Sequence, residues 1–187
     1  MKVIGLVGPR LSGKNLFAYY LRGEYGFRVL DFTINILAPL LRKGGKEPTR
    51  ENLLRAATKL RKKEGIDVLA RMLCKRIREG RNYVIAGVRF PEEVIYLEKQ
   101  FGVDFILVGV ECGPKIRYER ARRKNVKEGK RANYWNFIRK ERLPTESIIT
   151  ETVKLSRFTV KNEGEKEDLY AKIDKLMEKI YISKTKR

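Results

Sequence analysis

The stretch Gly8-Pro9-Arg10-Leu11-Ser12-Gly13-Lys14 carries the chemistry most directly legible in this chain. Two glycines five residues apart, followed by lysine, match a phosphate-binding loop. In such a loop, backbone N–H groups wrap a phosphate and the lysine meets its outer oxygens as a point charge. The pattern then calls for Ser or Thr, whose hydroxyl holds Mg²⁺ in ATP-using enzymes, and this chain has Asn15 instead. An amide oxygen is a neutral donor with a different reach, whereas Mg²⁺ prefers carboxylate, water and phosphate oxygens. Residues Gly8 to Asn15 are therefore candidates for phosphate binding, with the metal chemistry in question.

A phosphate loop needs a strand before it and a helix after it. Val3 to Val7 is an apolar run that reads as a buried strand, and Ser12 to Leu21 reads as the following helix, whose positive end assists the loop. "FRVLDF", "NYVIAGV", "DFILVGVE" and "RFTVKN" read as four further strands. Helical periods separate them. One region, from about Ile34 to Glu79, is mostly helical. Within it, Thr49 precedes Asn52 by three residues and marks a helix start, and "IDVLARMLCKRIREG" predicts a helix stopping at Gly80. Pro91 opens a short helix, and "EKEDLYAKIDKLMEKIYI" closes the chain before a basic tail. Alternating apolar strands and helices predict a five-stranded parallel sheet with helices on both faces, an α/β fold. Sites in such sheets form at the C-terminal ends of the strands. Asp31, Ala86 to Arg89, Glu111 and Asn162 to Gly164 fall there.

The bulk composition narrows the chemistry. At 187 residues the chain suits one domain with a substantial core. It has no histidine, which excludes histidine catalysis and His-bound zinc. Cys74 and Cys112 lack metal-ligand spacing and read as small buried hydrophobes. No apolar run of about 18 residues predicts a membrane span. Met1-Lys2 leads straight into a strand rather than a leader, so a cytoplasmic protein is expected. With 43 Lys and Arg against 23 Asp and Glu, the formal charge is +20. Two explanations stand: affinity for RNA, DNA or nucleotides, or a thermophilic surface rich in Lys, Arg and Glu.

Beyond the loop, "KEPTRENLLRAATKLRKKEGIDVLARML", "VIAGVRFPEEVIYLEK", "GPKIRYERARRK" and "FTVKNEGEKEDLYAKIDKL" together resemble the nucleoside-monophosphate-kinase-like P-loop kinases. The branch most similar holds dephospho-CoA kinase, phage-type deoxynucleoside monophosphate kinases and archaeal relatives. The resemblance covers nearly the whole chain and implies a single domain, 1–187. Within it, 34–79 would be the acceptor-binding region and 113–142 a basic lid. It implies ATP and Mg²⁺ as cofactors, and as substrate a nucleotide or similar phosphorylated small molecule. Arg89 is similar to the family arginine facing the acceptor phosphate. Arg117 and Arg120, with Arg123, are similar to the lid arginines over the ATP phosphates. Asn162 to Gly164 is similar to the loop beside the donor's adenine. "KIRYERARRK" sets Arg117, Arg120 and Lys124 at i, i+3 and i+7, on one helical face.

The departures from the family fall on the metal. Asn15 replaces the hydroxyl, Ala86 stands where the family has an acid, and Asn35 occupies a place where relatives often carry Asp. Asp31 and Glu111 remain as carboxylates that could hold the ion through water, or could serve as a cap and a salt-bridge partner. Gly113 to Arg142 holds twelve cations against three carboxylates, with Tyr134, Trp135 and Phe137 among them. Those aromatics either stack nucleic-acid bases or pack the lid helix on the domain. The chain is then either an ATP-dependent kinase or a kinase-fold module that binds nucleotide, RNA or DNA without transferring phosphate.

Overall fold

A computed structural model describes residues 1–123, 133–141 and 144–182. Five parallel strands form one sheet: β1 (Val3–Val7), β2 (Arg28–Asp31), β3 (Tyr83–Val88), β4 (Phe105–Glu111) and β5 (Phe158–Lys161), in the order β2-β3-β1-β4-β5. This is the predicted sheet, with helices on both faces. The strands lie within the predicted apolar runs because a sheet covered on both sides needs apolar residues at successive positions. All five residues of β1 are buried.

Two layers of helix cover the sheet. On one face, Phe17 and Leu21 of α1 (Lys14–Tyr25) and Ile173 and Met177 of the last helix, α9 (Lys166–Ile182), pack on Ile4, Leu6, Val84 and Val108. Asp174 ties these two helices together, accepting from the Tyr20 hydroxyl at 2.9 Å and the Tyr25 hydroxyl at 2.8 Å. Burial first, and the Asp174 carboxylate second, push the Tyr20 hydroxyl up to about 12. On the other face lie a π-helix (Phe32–Leu37), α2 (Ala38–Lys43), α3 (Arg50–Glu64), α4 (Val68–Cys74), α5 (Pro91–Phe101) and α8 (Pro144–Lys154). Between α5 and α8 in sequence come α6 (Pro114–Arg123) and α7 (Tyr134–Glu141).

The helix starts follow local chemistry. Thr49 Oγ1 accepts from Asn52 N at 3.3 Å, the predicted cap of α3. α4 differs from expectation: it ends at Cys74, not near Gly80. The chain turns there, with Arg76 N donating to Leu73 O and Ile77 N to Cys74 O, and the Tyr83 hydroxyl then accepts from Arg78 N at 3.1 Å. The helical period continues past Cys74 in sequence, but the chain has to turn back toward β3.

The pairing of β1 with β3 slips by one residue. Leu6 faces Ala86 and Val7 faces Val88, so Gly87 is an extra residue with φ of 90°. Only glycine adopts that conformation without strain. The bulge sits one strand away from the phosphate loop.

Candidate functional site

The loop Gly8–Lys14 leaves the central strand between β3 and β4, at the C-terminal edge of the sheet. Its backbone is held open by Gly8 (φ 150°), Leu11 (φ 65°) and Gly13 (φ 103°). Gly13 is required twice over. Its φ disfavours other residues, and a Cβ there would lie 2.0 Å from Asn162 Nδ2. Lys14 Nζ donates to the carbonyls of Gly8 and Pro9, each at 2.7 Å, so its charge is centred over the loop. Arg10 is half-buried in the same turn and Asn15 is exposed on the first turn of α1.

Two side chains from distant segments brace this loop. Asn162, 4% exposed, donates through Nδ2 to Ser12 O at 2.8 Å. Arg120 spans the gap between segments. Its Nη1 donates to Leu11 O at 3.3 Å, and its Nη2 to Asn162 O at 3.2 Å and Gly164 O at 3.5 Å. Asn162 and Gly164 are thus brought against the phosphate loop, and Arg120 joins all three. Arg120 Nη1 also lies 3.3 Å from Cys112 Sγ. Burial pushes the Cys112 thiol up, against the weaker pull of Arg120 and Arg117.

Arg117 has a different place. It is 5% exposed, its Nε donates to Cys112 O at 2.8 Å, and its guanidinium lies 5.9 Å from the Phe137 ring. It packs α6 onto the strand-4 exit. Of the lid aromatics, Phe137 and Tyr134 pack on Tyr118 of α6, with ring centroids 5.7 and 5.6 Å away, while Trp135 is exposed. Arg123 is exposed at the end of α6. Lys124, Lys127, Lys130, Arg131 and Arg142, counted in the basic lid, lie outside the described residues, and the side chain of Lys140 does as well.

On the opposite side of the loop, Arg89 follows β3 with an exposed side chain on a fixed backbone. Arg89 N donates to Glu93 Oε2 at 2.9 Å, and Phe90 N to the same oxygen at 3.2 Å. Thr152 Oγ1, fully buried on α8, lies 2.8 Å from Arg89 O. The other Glu93 oxygen accepts from Arg61 Nη2 of α3 at 2.8 Å, and the Arg61 guanidinium stacks 4.4 Å from the Phe90 ring. Glu93 is 0% exposed, and burial pushes its carboxyl up while Arg61 and the two N–H groups pull it back. Among the described residues, Arg61 Nε is buried with no hydrogen-bond partner. Glu93, Arg61 and Thr152 escape a reading of sequence alone. One signal was present: Glu93 stands at the third position of a helix opened by Pro91, where a glutamate can cap.

Of the three candidate metal residues, Asp31 and Glu111 do not converge on one ion. Asp31 Oδ1 accepts from Thr33 N at 2.7 Å and Ile34 N at 2.9 Å, capping the π-helix, and Asn35 Oδ1 in turn accepts from Asp31 N at 2.7 Å. Asp31 sits on β2 and Glu111 on β4, three strand positions apart in the sheet. At about 4.8 Å per strand their backbones are separated by roughly 14 Å, too far for both to ligate one ion. Glu111 instead lines a cleft of about 550 Å³ with Pro9, Lys154, Lys161 and Glu163. Among the described residues, no three His, Cys, Asp or Glu side chains gather as a metal cage. Ala86 is 3% exposed, in the core cluster with Leu6 and Phe17, so its methyl group fills apolar space on the α1 side of the sheet.

No protein-family model matches the chain. It is similar to a UPF0200/UPF0201 protein of Archaeoglobus fulgidus, 37% identical across 96% of this chain and 56% of the relative. The chain thus spans little more than half of that protein's length. A UPF0200 protein of Aeropyrum pernix is 30% identical over 89% of this chain and 87% of its own length. Among solved structures, the fold is similar to shikimate kinase from Bacteroides thetaiotaomicron, with a TM-score of 0.63 at 12% identity, covering 95% of this chain and 98% of that one. It is also similar to shikimate kinase from Acinetobacter baumannii, with a TM-score of 0.58 at 20% identity, covering 100% and 96%. These likenesses establish the P-loop kinase fold and do not single out the dephospho-CoA kinase branch. Among the described residues no helix is long and apolar enough to cross a membrane. By its identity and coverage against the Aeropyrum relative, the chain belongs to the UPF0200 family.

Proposed function

We propose that this protein is an ATP-dependent phosphotransferase acting on a nucleotide or similar phosphorylated small molecule. The observation that carries the reading is the Gly8–Lys14 loop, with its positive-φ turns and Lys14 Nζ 2.7 Å from two loop carbonyls at the C-terminal edge of the central strand. Phosphoryl transfer is mainly positioning and charge neutralisation. In this reading Gly8 to Asn15 bind the donor phosphates and Lys14 neutralises their charge. Arg120, Asn162 and Gly164 fix the loop and border the adenine. Arg89 binds the acceptor phosphate through its guanidinium fork. Residues 34–79 hold the acceptor and 113–142 close over the donor as one domain. Arg117 serves this lid by anchoring α6 rather than by meeting phosphate, because its guanidinium is buried.

Mg²⁺, when bound, supplies further neutralisation of the phosphates. The donor set fits an ion that arrives on nucleotide phosphates and keeps several waters, with Asn15 and either Asp31 or Glu111 as the residues that would hold it.

The test is transfer of labelled phosphate from ATP to a panel of nucleoside monophosphates and dephospho-CoA, with the wild type and Lys14→Ala. Transfer reduced by about 10²-fold or more in the variant is expected, the size seen when one transition-state donor is lost. Turnover that survives the substitution sinks the reading. A second reading, nucleotide binding without transfer, is favoured by Asn15 and by the buried Ala86. Titration calorimetry of ATP with and without Mg²⁺ separates the two. An affinity indifferent to Mg²⁺, together with no turnover, selects the second.

A further inference from the structure

The net charge is not spread evenly. Residues 42–63 hold nine cations against two carboxylates. α3 alone has six against two, and α6 five against one. By contrast α9 holds four of each, and α5 one cation against three carboxylates. A thermophilic surface intersperses both signs in ion-pair networks. α9 fits that description and α3 does not.

The excess on α3 is also ordered. Its inner face, with Leu53, Ala56, Ala57 and Leu60, packs into the core. Its outer face carries Arg55, Lys59 and Lys62 at i, i+4 and i+7, with Lys63 beside them, all exposed. That spacing forms one stripe, with neighbouring side chains about 5–6 Å apart. Arg55 pairs with Glu51 at 2.6 Å. Lys59, Lys62 and Lys63 make no ion pair among the described residues. Upstream, Arg42, Lys43 and Lys46 extend the exposed positive surface along the end of α2 and the turn after it. Arg61, between Lys59 and Lys62 in sequence, turns inward to Glu93 beside the strand-3 exit and is not part of the stripe.

We propose that the outer face of α2 and α3 is a docking surface for a nucleic-acid strand. The argument is charge complementarity: a row of cations at near-phosphate spacing, longer than a single nucleotide uses. An anionic membrane suits it poorly, because a membrane-bound helix needs an apolar face to insert and that of α3 is committed to the core. The surface lies outside the phosphate loop, and the proposal does not depend on phosphoryl transfer.

The experiment is fluorescence anisotropy of labelled single-stranded RNA and DNA of about 20 nucleotides, from about 0.05 to 0.3 M salt. The protein is compared with Lys59→Ala/Lys62→Ala/Lys63→Ala and with a control of equal charge change on α9, Lys166→Ala/Lys175→Ala/Lys179→Ala. All six side chains are exposed, so both variants should fold, as circular dichroism would verify. The α3 variant should bind at least about 10-fold more weakly near 0.1 M salt. Its log–log salt slope should fall by about 2 to 3, because three phosphates are no longer neutralised. The α9 variant should stay within about 2-fold. Comparison of the RNA and DNA arms identifies which nucleic acid the surface prefers. Equal losses in the two variants would overturn the proposal, as would no binding by the wild type at about 0.15 M salt. So would phosphatidylserine vesicles whose binding depends on the α3 lysines while oligonucleotide binding does not.

Discussion

The two flanks of the phosphate loop are built on different principles. On the α6 side, Arg120 and Asn162 hold the loop through neutral backbone carbonyls, and the contacts close on one another. On the Arg89 side, a buried ion pair, Arg61–Glu93, holds the backbone of Arg89, and one of its own nitrogens has no partner among the described residues. Carbonyl bracing is modest per bond, and a buried carbonyl left unmet costs about 1–3 kcal/mol. A buried ion pair contributes little net while intact, but leaves an uncompensated charge when half of it is removed. The α6 flank should therefore yield by degrees and the Arg89 flank abruptly.

That contrast can be broken at several points. Glu93→Ala should be the most damaging single substitution on either flank, costing about 3–5 kcal/mol by stranding Arg61 in the interior. Urea unfolding measures it, and a loss below about 1 kcal/mol would erase the distinction between the flanks. Asn162→Ala should cost about 1–3 kcal/mol, the penalty for a buried Ser12 carbonyl left without its donor. It should also weaken ATP binding more than Glu93→Gln does, which calorimetry on the two variants compares.

The smallest effect lies away from both flanks. Tyr20→Phe should cost about 1 kcal/mol near neutral pH through the lost bond to Asp174. The Tyr20 hydroxyl is raised in the fold, so its contribution is complete below the unfolded value of about 10 and is lost as pH rises toward 12. Wild-type stability should fall between pH 10 and 12, and the variant should fall less. Equal alkaline losses in paired urea melts would remove Tyr20 from the account.

The sheet and the loop were legible in sequence because their signals are local. Val3 to Val7 is apolar without a break, and Gly8, Gly13 and Lys14 stand at fixed offsets after it. The Thr49 cap was legible for the same reason. The braces were not, because they join residues far apart in the chain: Asn162 meets Ser12 across 150 positions and Arg61 meets Glu93 across 32. Nothing in the composition of either segment announces the other. Arg117 shows the reverse case. Helical spacing put it on one face with Arg120, but spacing does not tell which arginine turns inward, and Phe137 with the Cys112 carbonyl decides that. The π-helix after Asp31 has no sequence period of its own, and a single carboxylate oxygen capping two N–H groups starts it.

The bulge at Gly87 has a consequence for parity. Ala86 and Val88 are two apart, yet Ala86 faces the α1 layer and Val88 faces the opposite one with Val7. In an unbroken strand, residues two apart share a face. The extra residue inverts the count, so every side chain after Gly87 leaves the strand in the opposite phase. Arg89 is the second of these. Deleting Gly87 would leave Val88 opposite Val7 and Arg89 in its present phase, whereas straightening the bulge with Gly87 kept would turn that arginine to the wrong side of the sheet.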